Sequence, residues 1–171
     1  YQASEKRKEP LVVSDGRDIR ASIAQSGDEP MWLARHCPGI AVVTHPKRYR
    51  AGKVAIKKLG ADVIVMDDGY QHDVLERDLN LALWDLNDLP DKMRRLPAGR
   101  LREGLGALKR AGAIVLTHGE YLPESAREER TRRVIGQLKR HAPQAPVFEA
   151  ATSIVGFRTI RGRDTTHGRP W

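Results

Sequence analysis

An unbroken apolar run, Val63-Ile64-Val65-Met66, ends against two adjacent carboxylates, Asp67 and Asp68, and is followed by Gly69-Tyr70-Gln71-His72. β-Branched residues in a stretch of this length predict a strand. A strand that is apolar at every position needs cover on both faces, the condition of a strand in a parallel sheet flanked by helices. The carboxyl edge of such a sheet is where open α/β folds hold their ligands. Two carboxylates placed there suit a Mg²⁺ ion or its water shell. They equally suit an Asp-Gly turn that needs no function.

The rest of the chain carries the same alternation. Leu11–Ser14, Ile40–Thr44, Leu79–Trp84, Ala113–Thr117, Pro146–Ala150 and Ile154–Ile160 read as strands, and Asp85 follows the third of them. Asp28 reads as the N-cap of a helix with Glu29 and Pro30 in its first turn, stopped by Cys37-Pro38-Gly39. Ala51, Val54, Ala55 and Leu59 fall at helical spacing, with Gly60 to close the helix. A short helix is expected over 101–110 and a long charged one from Pro123 to about His141. Strands alternating with helices predict an α/β fold with right-handed crossovers. Residues 1–140 read as one core lobe. The Pro-rich stretch His141-Ala142-Pro143-Gln144-Ala145-Pro146 reads as a hinge, making 141–171 the start of a second, smaller α/β lobe.

Composition narrows the class. A hydrophobic content of 40% with 30% charged residues fits a soluble globular chain. The formal net charge of +8 suits polyanionic partners, whether nucleic acid, phosphorylated ligands or an anionic membrane surface, and also suits a merely basic background. The single cysteine, Cys37, allows no internal disulfide and points to a reducing cytosol. With two Phe and four Tyr there is no stacking surface for single-stranded nucleic acid, so no such partner is expected. No run reaches the eighteen or so apolar residues of a membrane span. The chain opens on Tyr1 and closes on Trp171, which reads as an internal piece of something longer.

Phosphoryl transfer needs a phosphate cradle, a metal and a positioned base or nucleophile. Asp67 and Asp68 are the metal-side candidates. Asp28 could take a proton from a hydroxyl or simply cap its helix. Arg48, Arg100 and Arg102 could clamp phosphate oxygens, because a guanidinium matches them in fork geometry. In Leu96-Pro97-Ala98-Gly99-Arg100-Leu101-Arg102-Glu103 the last pair could close over a nucleotide or form an exposed salt-bridged helix start. His72 is the one histidine of six that sits by the acidic pair. There is no G-x-x-x-x-G-K-[S/T] cradle, no H-E-x-x-H and no G-x-S-x-G.

Several of these pieces together resemble one family, tetraacyldisaccharide 4′-kinase. They are Ser26-Gly27-Asp28-Glu29-Pro30, Arg48-Tyr49 with Ala51-Gly52, Asp67-Asp68-Gly69-Tyr70-Gln71-His72 with Leu75, Arg77 and Asp78, the 96–103 loop, and Leu108-Lys109-Arg110-Ala111. The resemblance implies a P-loop kinase core that moves the ATP γ-phosphate to the 4′-hydroxyl of a tetraacylated disaccharide 1-phosphate, a lipid A precursor. It implies Mg²⁺ and a peripheral place at the cytoplasmic face of a bacterial inner membrane. It implies Asp28 as the carboxylate that activates the sugar hydroxyl and Asp67 and Asp68 as the metal-side pair. Arg48, Gln71, His72, Arg102 and Glu103 would line the nucleotide and substrate cleft. The family's Gly-rich loop and its C-terminal end do not occur within these 171 residues, so the chain alone is expected to be soluble, to bind MgATP poorly and to be inactive. Another P-loop ATPase or GTPase, or a basic nucleic-acid-binding module, are the alternatives.

Overall fold

Leu11–Asp15 (β1) and Ala41–Thr44 (β2) pair antiparallel, with Leu11 opposite Thr44, Asp15 opposite Ala41 and a bulge between Val12 and Ser14. The computed structural model to which they belong describes residues 8–153, 157–158 and 164–165. Its contacts divide the chain into two compact units, Tyr1–Leu75 and Glu76–Trp171.

In the first unit the turn after β1 is fastened by Asp15. Its Oδ1 accepts the backbone N–H groups of Arg17 and Asp18 at 2.9 and 2.8 Å, and its Oδ2 accepts Arg20 Nε at 2.8 Å. These donors hold the Asp15 carboxyl far below the ordinary aspartate range. Between the strands lie α1 (Ile23–Ser26) and α2 (Asp28–His36). α2 packs on both strands, and α3 (Arg48–Leu59) packs on β2. Val13, Met31 and Ala34 form the core, with Leu11, Ala21 and Val42 against them. Gly60, left-handed at φ 69°, closes α3 by donating to the carbonyls of Ala55 and Ile56.

The second unit is built on a parallel sheet of Leu81–Asp85 (β3), Ala113–Thr117 (β4) and Val147–Glu149 (β5), in that order. Leu81 lies opposite Ala113, Asp85 opposite Thr117 and Ile114 opposite Val147. The long charged helix α4 (Glu124–Leu138) is the crossover from β4 to β5. Ile114, Leu116, Val134, Leu138 and Leu86 are completely or almost completely buried. Three arginines on α4 reach the loops at one edge of the sheet. Arg127 Nε donates to the Gly119 carbonyl at 2.9 Å, Arg130 to the Asn87 carbonyl at 3.4 Å and Arg133 to Asp91 Oδ2 at 2.9 Å. Phe157–Arg158 (β6) and Asp164–Thr165 (β7) form a short antiparallel pair.

The expected α/β class is observed, with three differences of detail. Val63–Met66 forms no strand: Val63 is 75% and Val65 90% exposed. Its composition records a demand for burial, but backbone groups become a strand only when a neighbour pairs with them, and none does among the described residues. β1 and β2 pair antiparallel rather than parallel. No residue of β2 is fully buried, a condition antiparallel pairs tolerate. The expected helix over 101–110 is a 3₁₀ segment, Leu105–Arg110. The strand expected over Ile154–Ile160 is described only at Phe157–Arg158, and its other residues lie outside the described set. The Pro-rich stretch 141–146 lies within the second unit, leading into β5.

Candidate functional site

In the first unit, Asp28 opens α2, but it does not cap it. The N-cap is Gly27, at φ 86°, and no side chain bonds the first turn. The expected capping role is thus corrected. A glycine takes the positive φ that this helix entry requires, and Asp28 falls one position inside, its carboxylate exposed. There it sits with Glu29 in the first turn, at the positive end of the helix dipole. Arg48 opens α3, and its Nε is buried with no hydrogen-bond partner among the described residues. A half-buried guanidinium with an uncommitted donor suits an anionic oxygen.

Asp67 and Asp68 form an exposed turn. Asp68 is left-handed, at φ 46°, and Gly69 is buried. A Cβ at Gly69 would come within 2.8 Å of the Met66 Cβ, so the turn closes only with glycine there. The His72 N–H donates to the Gly69 carbonyl at 3.0 Å, folding Gln71 and His72 back beside the acidic pair in the chain. The donor set is hard oxygen, which suits Mg²⁺. No group of three His, Cys, Asp or Glu in metal-binding reach forms among the described residues. Mg²⁺ commonly takes one or two protein carboxylates and completes its shell with phosphate oxygens and water, so the pair fits it.

In the second unit, Arg102 is exposed and Glu103 is half-buried. Glu103 takes a two-pronged salt bridge from Arg110 Nη2, at 2.8 Å to Oε1 and 2.9 Å to Oε2. Arg100 pairs instead with Asp88. The 96–103 loop doubles back tightly: the Leu96 N–H donates to the Leu101 carbonyl at 2.9 Å and the Leu101 N–H to the Arg94 carbonyl at 3.0 Å. Any side chain at Gly99 would collide with the Arg94 carbonyl.

A further cluster, which the motifs do not mark, stands at the carboxyl edge of the parallel sheet. His118 Nδ1 lies 2.9 Å from Asp85 Oδ2, and Asn87 binds Asp85 Oδ1 through both its backbone N–H and its side-chain amide, each at 2.8 Å. Burial pushes the Asp85 carboxyl up, but these bonds outweigh it and leave it below the ordinary aspartate value. His118 is left-handed at φ 62° and stacks on Tyr121, with ring centroids 5.4 Å apart. Asp68 and His118 are the two non-glycine residues with positive φ among the described residues, and such outliers gather at functional sites. The available sequence signal was a pair of strands, each ending in a polar residue: Asp85 after one, Thr117-His118 after the other.

A family model described as tetraacyldisaccharide-1-P 4′-kinase matches residues 1–162. The chain belongs to that family. Among curated relatives, the tetraacyldisaccharide 4′-kinase of Halothermothrix orenii is 34% identical over 160 residues, covering 94% of this chain and 41% of that protein. The tetraacyldisaccharide 4′-kinase of Geobacter sulfurreducens is 49% identical over 109 residues, covering 64% of this chain and 31% of that protein. Among solved structures, "apo" form LpxK from Aquifex aeolicus in complex with ATP superposes with a TM-score of 0.64 at 29% identity, covering 86% of this chain and 59% of that one. The chain thus spans about two fifths or less of the length of these curated relatives.

Membership of the tetraacyldisaccharide 4′-kinase family sets aside the two alternatives left open by the residues alone, an unrelated P-loop NTPase and a basic nucleic-acid-binding module. It also gives the α/β core its fold class, that of a P-loop kinase. Among the described residues no helix is long and apolar enough to cross a membrane.

Proposed function

We propose that the protein containing this chain transfers the γ-phosphate of ATP to the 4′-hydroxyl of an acylated disaccharide 1-phosphate. The match of residues 1–162 to the kinase family carries this reading. The state of Asp28 supports it: a carboxylate at a helix entry, exposed and relieved of capping, is available to a substrate. In the proposed reaction the Asp28 carboxylate accepts the hydroxyl proton as the sugar oxygen bonds to the γ-phosphorus and the bond to the β,γ-bridging oxygen breaks, releasing ADP. A sugar hydroxyl is a poor nucleophile at neutral pH, so a positioned base is needed.

Asp67 and Asp68 would hold Mg²⁺. When bound, the ion would neutralise charge on the phosphate oxygens. Arg48, with its uncommitted buried Nε, would bind a phosphate oxygen, and Gln71 and His72 would position groups around the same turn. Arg102 would reach the nucleotide or the acceptor, and Glu103, fixed by Arg110, would hold that loop in shape. The acceptor is an anionic lipid, and a net charge of +8 suits work at the cytoplasmic face of an anionic inner membrane. A lobe boundary at about residue 141 belongs to the same reading of the whole protein.

The test uses the protein as encoded in its gene, incubated with radiolabelled ATP, Mg²⁺ and a tetraacylated disaccharide 1-phosphate. Label should move to the lipid at the 4′ position and stop moving when Mg²⁺ is chelated. Label that stays in ATP, with the protein folded and the acceptor intact, would refute the reading.

A further inference from the structure

The positive charge of this chain is concentrated in one place. Residues 30–61, in the first unit, hold seven of the 30 lysines and arginines and none of the 22 acidic residues, so the rest of the chain is close to neutral. Six of the seven are Lys47, the N-cap of α3, and Arg48, Arg50, Lys53, Lys57 and Lys58 within it. All but Arg48 are exposed, and none of the six forms a salt bridge among the described residues. Helix stability does not account for them. Lys47, Arg48 and Arg50 stand at the positive end of the helix dipole, and Lys53 and Lys57 are like charges four residues apart, both unfavourable. The helix rests on β2, with Ala51, Val54, Ala55 and Leu59 half-buried. Tyr49, Lys53, Ile56 and Lys57, spaced at i, i+4, i+7 and i+8, make an exposed stripe. Tyr49 is 56% and Ile56 55% exposed, and Lys53 Nζ lies 4.6 Å from the centre of the Tyr49 ring. A cationic face that also carries an aromatic and an aliphatic side chain is the chemistry of a helix lying at a lipid–water boundary. A polyanion without an apolar phase would meet the charge and leave Ile56 in water.

We infer that this face of α3 docks on an anionic bilayer, with the lysines at the lipid phosphates and Tyr49 and Ile56 at the boundary between headgroups and acyl chains. The inference deepens the membrane placement proposed above and rests on it, not on the transfer chemistry. Arg48 opens the same helix, so the docking surface adjoins a residue proposed to bind phosphate.

Sedimentation of the protein as encoded with phosphatidylcholine vesicles, with and without phosphatidylglycerol, reads the binding. The wild type should pellet with the anionic vesicles and bind them less as salt rises from about 0.1 to about 0.5 M. Lys53→Gln, Lys57→Gln and Lys58→Gln together should lower partitioning about a hundredfold, at about fivefold for each lysine. Ile56→Gln should lower it about tenfold, a loss that attraction between charges alone would not show. All four positions are exposed and Gln is a good helix former, so both variants should keep wild-type turnover on acceptor dispersed in detergent. Undiminished vesicle binding in both variants would overturn the inference and leave the membrane placement standing. Failure of the wild type to bind anionic vesicles would overturn both, with transfer to the disaccharide acceptor judged separately. A loss confined to the lysine variant, with duplex DNA bound as tightly as the vesicles, would assign the face to another polyanion and overturn the inference.

Discussion

Replacing Asp28 separates chemistry from folding more cleanly than any other change in this chain. Were Asp28 an N-cap, its loss would cost about 1 kcal/mol and up to about 2. The cap is Gly27, and no side chain bonds the first turn, so what remains is the attraction of a carboxylate to the helix N-terminus. That is worth about 0.3–1 kcal/mol, and the low end applies because Asp28 is exposed and Glu29 stays in place beside it. Loss of a general base costs about 10²–10⁴ in rate, which corresponds to about 2.7–5.5 kcal/mol of barrier. Asp28→Asn should therefore lower kcat at least about a hundredfold while moving the unfolding free energy by no more than about 0.5 kcal/mol. The KM for ATP should hardly change, because the base acts on the acceptor. Steady-state kinetics on the protein as encoded, set beside its urea unfolding curve, read both quantities. A kcat within about threefold of wild type would remove Asp28 from the chemistry. A stability loss near 2 kcal/mol would show that the side chain is structural after all.

Three other outcomes follow from the same geometry. Asp67→Asn should raise the Mg²⁺ concentration for half-maximal turnover by about tenfold or more, read from a metal titration at saturating ATP. Ile114→Ala, at a position with no exposure in β4, should destabilise the second unit by about 2–5 kcal/mol, visible as a lowered urea midpoint. Asp85 has its carboxyl pKa lowered in the folded state, so its bonds to Asn87 and His118 stabilise the fold above the unfolded value of about 3.9 and are lost as pH falls through the folded value. Wild-type stability should accordingly fall more steeply than that of Asp85→Asn as pH drops below about 4, and parallel curves there would show that the cluster contributes nothing to acid sensitivity.

What was legible in the sequence depends on how far apart the cooperating residues lie. Ala113–Thr117 was readable because its apolar run is bounded on both sides and does form a strand, its residues Ile114 and Leu116 fully buried. α4 was readable from its length, and the turn at Asp67-Asp68-Gly69 from adjacent residues alone. Val63–Met66 carried an equally strong strand signal and forms none among the described residues. Apolar composition states a preference for cover, whereas pairing depends on a second segment that composition does not name. Glu103 lay between two readings, a nucleotide clamp and a salt bridge. Its partner is Arg110, seven residues on, across a 3₁₀ turn whose pitch no 3.6-residue pattern anticipates.

The edge cluster shows the same limit in its sharpest form. Asp85 and His118 are thirty-three residues apart, and their contact exists because β3 and β4 pair in parallel with Asp85 opposite Thr117. A slip of one residue would turn every β4 side chain to the other face and break the 2.9 Å contact, although each strand read alone would look unchanged. Register is fixed by burial: Ala82 and Trp84 alternate with exposed Leu81 and Leu83 along β3, and Ile114 and Leu116, opposite Ala82 and Trp84, are buried on β4. The apolar alternation that builds the core of the second unit thus also decides which polar residues meet at its edge. It sets His118 beside Asp85, and it starts the Gly119–Tyr121 turn that follows β4. Repacking that alternation, for instance by exchanging Leu83 and Trp84, should disturb the Asp85–His118 pair, even though the one polar atom moved, Trp84 Nε1, donates to the Asp88 carbonyl and not to that pair.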